Sequence, residues 1–174
     1  MPALRITGGS LRGRRVAIPP GEVRPTSERA RQAYFNIVSD RVNGATFLDL
    51  FAGSGIFSFE ALSRGAASAT AVDRDTKSIE KTAKELGLTV NTIAGDALVT
   101  AARCPLTADL VYADPPYDYD RYDDLLAALD EHQAGALVTI EHRKRSTPFT
   151  ITPQRLRETD RREYGEVWMT FFES

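Results

Sequence analysis

Apolar and polar positions follow two rhythms along this chain. Between residues 45 and 140, short apolar runs alternate with stretches of helical spacing. The runs are 45–50 (Ala-Thr-Phe-Leu-Asp-Leu), 69–72 (Ala-Thr-Ala-Val), 89–93, 109–113 (Asp-Leu-Val-Tyr-Ala) and 136–140 (Ala-Leu-Val-Thr-Ile). Apolar runs of this length between turn residues read as buried strands. Between them, Ile56, Phe59 and Leu62 share one helical face, and so do Ile79, Ala83 and Leu86. A short helix starts at Asp96, and a helix over 120–132 carries Leu125, Leu126 and Leu129. Before the first strand, apolar positions 30, 33, 34, 37 and 38 predict a helix opening after Pro25-Thr26. This alternation predicts βαβ units, a mostly parallel sheet and right-handed crossovers. Ligands then bind beyond the carboxyl ends of the strands, near the topological switch point. Residues 157–162 and 166–172 predict a closing antiparallel pair. At the other end, 4–7 and 14–18 alternate as short strands around Gly8, Gly9 and Gly13, and Pro19-Pro20-Gly21 stops them. We therefore divide the chain into a hairpin extension (1–25) and an α/β domain (26–174).

Charge changes this picture at one place. The net charge of −2 conceals a head, residues 1–31, with seven arginines against two acids. Arginine's planar fork suits phosphate, so a basic head on an acidic body points to nucleic acid. Arg143-Lys144-Arg145 and the group Arg155, Arg157, Arg161 and Arg162 read as solvated faces. One cysteine, Cys104, excludes an internal disulfide and a cysteine-based zinc cluster, and two histidines, His132 and His142, argue against a histidine metal site. No apolar run approaches the ~18 residues of a membrane span, and the first residues lack a signal-peptide core. The expectation is a cytoplasmic monomer without membrane or metal.

Two turns carry the candidate chemistry. Asp49-Leu50-Phe51-Ala52-Gly53-Ser54-Gly55 leaves one strand and opens a helix. Its glycines permit a sharp turn and close approach of a ligand to the main chain. The third glycine of a dinucleotide fingerprint and the lysine of a P-loop are both absent. Asp73 ends the next strand, where a carboxylate can accept from two ribose hydroxyls. Asp96, in Ala94-Gly95-Asp96-Ala97, can cap a helix or accept from an adenine amine. Asp114-Pro115-Pro116-Tyr117 follows the fourth strand. Two prolines fix the backbone and remove two donors. They present a carboxylate, a rigid carbonyl and an aromatic ring at the ligand edge of the sheet.

These features resemble the Rossmann-like, S-adenosylmethionine-dependent methyltransferases whose (Asn/Asp)-Pro-Pro-(Tyr/Phe) motif acts on exocyclic amines of nucleobases. Over nearly the whole chain the sequence is similar to the RsmD family. The similarity lies in Arg5-Ile6-Thr7-Gly8-Gly9, Arg12-Gly13-Arg14, Arg24-Pro25-Thr26, Phe35-Asn36, the glycine loop and Glu60-Ala61-Leu62-Ser63-Arg64-Gly65. The resemblance implies a mostly parallel seven-stranded sheet with helices on both faces. It also implies methylation of N2 of guanine-966 in bacterial 16S rRNA, in the assembled small subunit. It implies a cofactor site at Asp49, Phe51, Ala52, Gly53, Ser54, Gly55, Asp73, Arg74, Asp96 and Ala97. Asp114, Pro115, Pro116 and Tyr117 would hold the base, and Arg5, Arg12, Arg14, Arg15, Arg24 and Arg29 the RNA phosphates. The link between the helix at 75–86 and the strand at 89–93 is short for the family.

An aromatic amine is a weak nucleophile because its lone pair is delocalised, so it needs orientation. The Asp114 carboxylate and the Pro115 carbonyl are suited to accept its hydrogens, with Tyr117 stacked on the base. A carboxylate at position 114 accepts from both N1–H and N2–H of guanine, whereas an amide matches adenine better. An adenine-N6 methyltransferase acting on DNA or RNA is the alternative. A nicotinamide oxidoreductase would leave Asp-Pro-Pro-Tyr without a use, and an RNA-binding module without catalysis would leave both turns unused.

Overall fold

The apolar runs become the strands of a central sheet, and the segments of helical spacing pack against its two faces. The computed structural model of the protein describes residues 3–19, 27–103, 107–133, 135–144 and 148–174. Arg24, Pro25, Thr26, Cys104 and Arg145 lie outside these residues.

The described elements are β1 (Ala3–Arg5), β2 (Arg15–Ala17), α1 (Glu28–Ile37), β3 (Thr46–Leu50), α2 (Ile56–Ser63), β4 (Ser68–Asp73) and α3 (Lys77–Leu86). They continue with β5 (Asn91–Ala94), α4 (Ala97–Arg103), β6 (Leu110–Ala113), α5 (Tyr122–His132), β7 (Leu137–Arg143), β8 (Arg157–Tyr164) and β9 (Val167–Glu173). The seven-stranded sheet has the order β5-β4-β3-β6-β7-β9-β8. Its first five members are parallel, and β9 and β8 close it antiparallel. The order reverses between β3 and β6, so a crevice opens there at the carboxyl ends of the strands.

Strand periodicity sorts the core into two layers. Phe47 of β3 and Tyr112 of β6 face Tyr34, Phe35, Phe57 and Phe59 of α1 and α2. Leu48, Leu50, Val111, Val138 and Ile140 face Leu125, Leu126 and Leu129 of α5. Burial of each such side chain contributes about 1.5–3 kcal/mol. The chain is thus anchored on both faces, and the loops at the strand ends are held by rigid elements. Ser27 caps α1 by accepting from Ala30 N at 3.1 Å.

The β1–β2 hairpin is fastened to this core. Ile6 and Val16 are buried in the aromatic layer. Gly9 has φ +77°, and a Cβ there would meet the Ser63 carbonyl oxygen at 1.8 Å, so the hairpin lies directly against the end of α2. Glu60 of α2 ties the contact together. Its Oε1 accepts from Thr7 N and Thr7 Oγ1 at 2.7 Å and from Arg31 Nε at 3.2 Å. Its Oε2 accepts from Arg64 Nε at 3.1 Å. Here the basic head divides. Arg31 is fully buried and ion-paired, while Arg5, Arg12, Arg14, Arg15 and Arg29 are exposed. A buried guanidinium is stable only with its carboxylate, and removing one partner of such a pair costs about 3–5 kcal/mol.

The fifth parallel strand runs three residues beyond its apolar run. Glu141, His142 and Arg143 stay in β7 because they pair with Met169, Trp168 and Val167 of β9.

Candidate active site

The crevice at the switch point is a cavity of about 1400 Å³. The loop leaving β3 forms one wall. Phe51, Gly53 and Gly55 all have positive φ, of +61°, +53° and +76°. Ala52 N donates to Val72 O at 3.0 Å and Gly55 N to Ala52 O at 2.7 Å, which closes the turn. A Cβ on Gly55 would come within 3.0 Å of Ile79, so the turn packs tightly against α3. Asp73, at the end of β4, accepts from Gly53 N through Oδ2 at 2.8 Å. That bond locks the loop to the neighbouring strand. Asp96 caps α4, accepting from Val99 N at 3.0 Å, and this bond holds its carboxyl below the usual range. Arg74 reaches the other oxygen of Asp96 at 3.5 Å.

Of the residues expected at a cofactor site, Phe51, Gly53, Asp73, Arg74, Asp96 and Ala97 line the cavity. Asp49, Ala52, Ser54 and Gly55 are buried and are not among the lining residues. Asp49 instead accepts from Ser58 N at 3.1 Å and Ser58 Oγ at 2.7 Å, which pins the first turn of α2. Burial pushes its carboxyl up to about 8. The Ser58 bonds oppose this, and Asp114 and Asp73 add to it.

The opposite wall begins with Asp114, Pro115, Pro116 and Tyr117, and all four line the cavity. Asp114 N still donates to Leu50 O at 3.3 Å, so the motif starts as an extension of β6. Pro115 is buried and Tyr117 is 65% exposed. Tyr119 N donates to Pro116 O at 2.9 Å, which turns the chain. Tyr119 then meets Phe51 edge-on at 5.3 Å and bridges the two walls. Its phenol is pushed up to about 12, chiefly by burial.

Several lining residues carried no signal in the apolar pattern. Glu141, His142 and Arg143 reach the cavity from the end of β7, as do Tyr122 and the turn joining β8 to β9. Arg143, expected on a solvated face, lies over the ring of Tyr117. The one hint in the sequence was an acid directly after Ala-Leu-Val-Thr-Ile. Burial holds the His142 imidazole below its ordinary pKa. Its Nδ1 lies 3.1 Å from Arg143 O and its Nε2 2.8 Å from Thr170 Oγ1. A neutral ring therefore donates from Nδ1 and accepts at Nε2. Of the hairpin and α1 arginines, Arg29 borders the cavity, while Arg5, Arg12, Arg14 and Arg15 belong to the exposed hairpin.

Such a cavity can take a nucleoside-sized ligand. One wall offers main chain and carboxylates that accept from hydroxyls and amines, and the other offers a carboxylate, a fixed carbonyl and aromatic rings. The carboxylates also suit a cationic ligand.

The family described as "Conserved hypothetical protein 95" matches residues 4–173. The "Putative rRNA methyltransferase YlbH" of Bacillus subtilis is 34% identical over 161 residues, 85% of this chain and 88% of that protein. The "Ribosomal RNA small subunit methyltransferase D" of Escherichia coli K12 is 33% identical over 135 residues, 74% and 68% of the two chains. Among solved structures, the "Putative methyltransferase yhhF from Escherichia coli" superposes with a TM-score of 0.86 at 28% identity, covering 98% of this chain and 97% of that one. A structure described as "a putative methyltransferase complexed with SAH" shares the fold, with a TM-score of 0.67 at 17% identity, over 83% of this chain and 49% of that one. The chain therefore belongs to the Conserved hypothetical protein 95 family, the RsmD family whose motifs its hairpin and glycine loop carry.

Proposed function

We propose that this protein transfers a methyl group from S-adenosyl-L-methionine to the exocyclic N2 of a guanine in small-subunit ribosomal RNA, at the position corresponding to guanine-966 of 16S rRNA. The observation that carries this reading is one shared cavity. It is lined on one side by Gly53, Asp73 and Asp96 and on the other by Asp114 through Tyr117. The names of the Bacillus and Escherichia relatives support ribosomal RNA as the substrate class, and the fold shared with an SAH complex supports the cofactor.

When bound, the cofactor supplies an electrophilic methyl group on a positively charged sulfonium. Asp73 would accept from the ribose hydroxyls, Asp96 would accept from the adenine amine, and the positive φ of Gly53 would let the main chain approach. Asp114 and the Pro115 carbonyl would accept from the guanine amine and turn its lone pair toward the methyl. The N2–CH3 bond forms as the S–CH3 bond breaks to leave a neutral thioether, and the displaced N2 proton would pass to the Asp114 carboxylate or to water. Acceleration comes from positioning and from fixed dipoles, because the nucleophile needs no prior deprotonation. Tyr117 stacks on a base taken out of the RNA. Arg12, Arg14, Arg15 and Arg29, with Arg5 and Arg24, hold phosphates and position the substrate without reading sequence. The assembled small subunit in the cytoplasm is the expected substrate form.

The test uses small subunits lacking the modification, methyl-labelled S-adenosylmethionine and nucleoside analysis of the digested RNA. The expected product is N2-methylguanosine at one site. Labelled N6-methyladenosine would replace this reading with the adenine alternative.

A further inference from the structure

The cavity wall contains a second carboxylate, which the Asp-Pro-Pro-Tyr motif does not supply. Glu141 lies near the end of β7, and it is 5% exposed and lines the cavity. The parallel register pairs Ala113 with Ile140. The next residues outward, Asp114 and Glu141, therefore leave neighbouring strands level with each other. Tyr112 reaches across from β6 and donates to Glu141 Oε2 at 2.5 Å. Its ring is itself fixed, stacked on Phe57 at 3.8 Å and edge-on to Tyr34 at 4.8 Å. A phenol on two torsions, clamped between aromatic rings, holds the carboxylate in one orientation.

A buried carboxylate is costly unless hydrogen-bond donors meet it. An apolar residue could close this strand end without that cost, as Val138 and Ile140 do earlier in β7. A carboxylate in the cavity wall, level with Asp114, suits a ligand that presents several adjacent donors. Guanine presents N1–H beside its N2 amine, so its Watson–Crick edge offers only donors at these two positions. Adenine presents a lone pair at N1, which a carboxylate repels.

We infer that Glu141 reads the base: Glu141, in place of the Asp114 carboxylate expected from the sequence, accepts the N1–H of the target guanine, while Asp114 and the Pro115 carbonyl hold the N2 amine. Tyr112 acts as a positioning residue by orienting Glu141. This inference rests on the guanine-N2 reading above.

The test compares small subunits reconstituted with guanine or with 2-aminopurine at the target position. 2-Aminopurine keeps the amine but replaces N1–H with an acceptor. The wild-type protein should prefer guanine by about 10- to 100-fold in kcat/KM, the range of one hydrogen bond to a charged group. Glu141→Gln keeps an acceptor for Tyr112 and turns an NH2 toward the base. It should lose most of its guanine activity, bring the ratio to about one or below, and leave cofactor affinity unchanged. Tyr112→Phe should weaken the preference without reversing it. A wild-type protein that methylates both bases equally would overturn the inference whatever the variants do. A folded Glu141→Gln protein with an unchanged ratio would reduce the Tyr112–Glu141 bond to a structural link. Failure of the wild-type protein to form N2-methylguanosine at all would instead remove the guanine reading itself.

Discussion

The two walls of the cavity are held in different ways. On the β3–β5 side, main chain does the positioning. Asp73 is tied to Gly53 N, and Asp96 is tied to Val99 N. Each carboxylate completes a turn of its own backbone or of the strand beside it. On the β6–β7 side, the positions depend on side chains that meet across strands. Tyr112 holds Glu141, Tyr119 packs on Phe51, and Arg143 covers Tyr117. A wall built from backbone suits a ligand of constant shape. A wall built from side chains can distinguish one base from another, because each substitution changes a donor or acceptor without moving the chain.

The comparison makes its largest prediction at Asp114. Asp114→Ala should lower single-turnover methyl transfer by about 10²–10³-fold, the scale of removing one preorganised electrostatic partner. Cofactor affinity, measured by calorimetry, should stay unchanged. Loss of cofactor binding in this variant would mean the two walls do not divide the work as described. Asp73→Ala is the converse. It should weaken cofactor binding by about 10- to 100-fold, with methyl transfer at saturating cofactor close to wild type. A fall in transfer with unchanged affinity would contradict the division from the other side.

The RNA contact proposed for the hairpin lies outside both walls and should separate from them. Replacing Arg12 and Arg15 with glutamine should reduce the slope of log affinity for RNA against log salt. The expected change is about 0.7–0.9 for each phosphate that is no longer neutralised. Neither cofactor affinity nor base preference should move. An unchanged slope would remove the hairpin from the RNA interface.

A prediction of stability rather than activity concerns Asp49, which supports the main-chain wall from behind. Its folded pKa is raised to about 8 from an ordinary value of 3.8. The folded state therefore binds more protons than the unfolded state between those values. The stability this contributes is complete below pH ~4 and is lost as pH rises through ~8. Asp49→Asn cannot ionise and keeps an acceptor for Ser58. Its urea midpoint should gain on the wild type steadily from pH 5 to pH 8.5. A constant difference across that range would show that Asp49 is already ionised in the folded protein.

Much of the main-chain wall was legible in the order of residues. Glycines between an apolar run and a helix, and an acid at the end of the next strand, are local patterns. Backbone hydrogen bonding forces them to the carboxyl edge of a parallel sheet. The Asp-Pro-Pro-Tyr turn was legible for the same reason, since two prolines cannot continue a central strand. Asp49 was harder to read. The spacing placed it beside the loop, while its packing against Ser58 turned it away from the cavity lining and into the start of α2. Arg31 stood in a row of arginines and could not be told from its neighbours. It is buried because the helical phase of α1 points it at Glu60 of α2, 29 positions away. Arg143 looked like a surface charge because its partners in β9 lie far along the chain.

Local spacing was enough to set the alternating elements, the parallel sheet, the two turns at its ligand edge and the acids at two strand ends. Each of these follows from periodicity, from the wide torsional freedom of glycine or from the fixed φ of proline, which act within a few residues. Which arginine is buried, and how far β7 extends, depended on the closed fold. So did the meeting of Tyr112 and Glu141 beside Asp114. These contacts depend on the register between strands and on which helix face meets which sheet face. Those choices are settled only when the two apolar layers close together, because no local spacing encodes them.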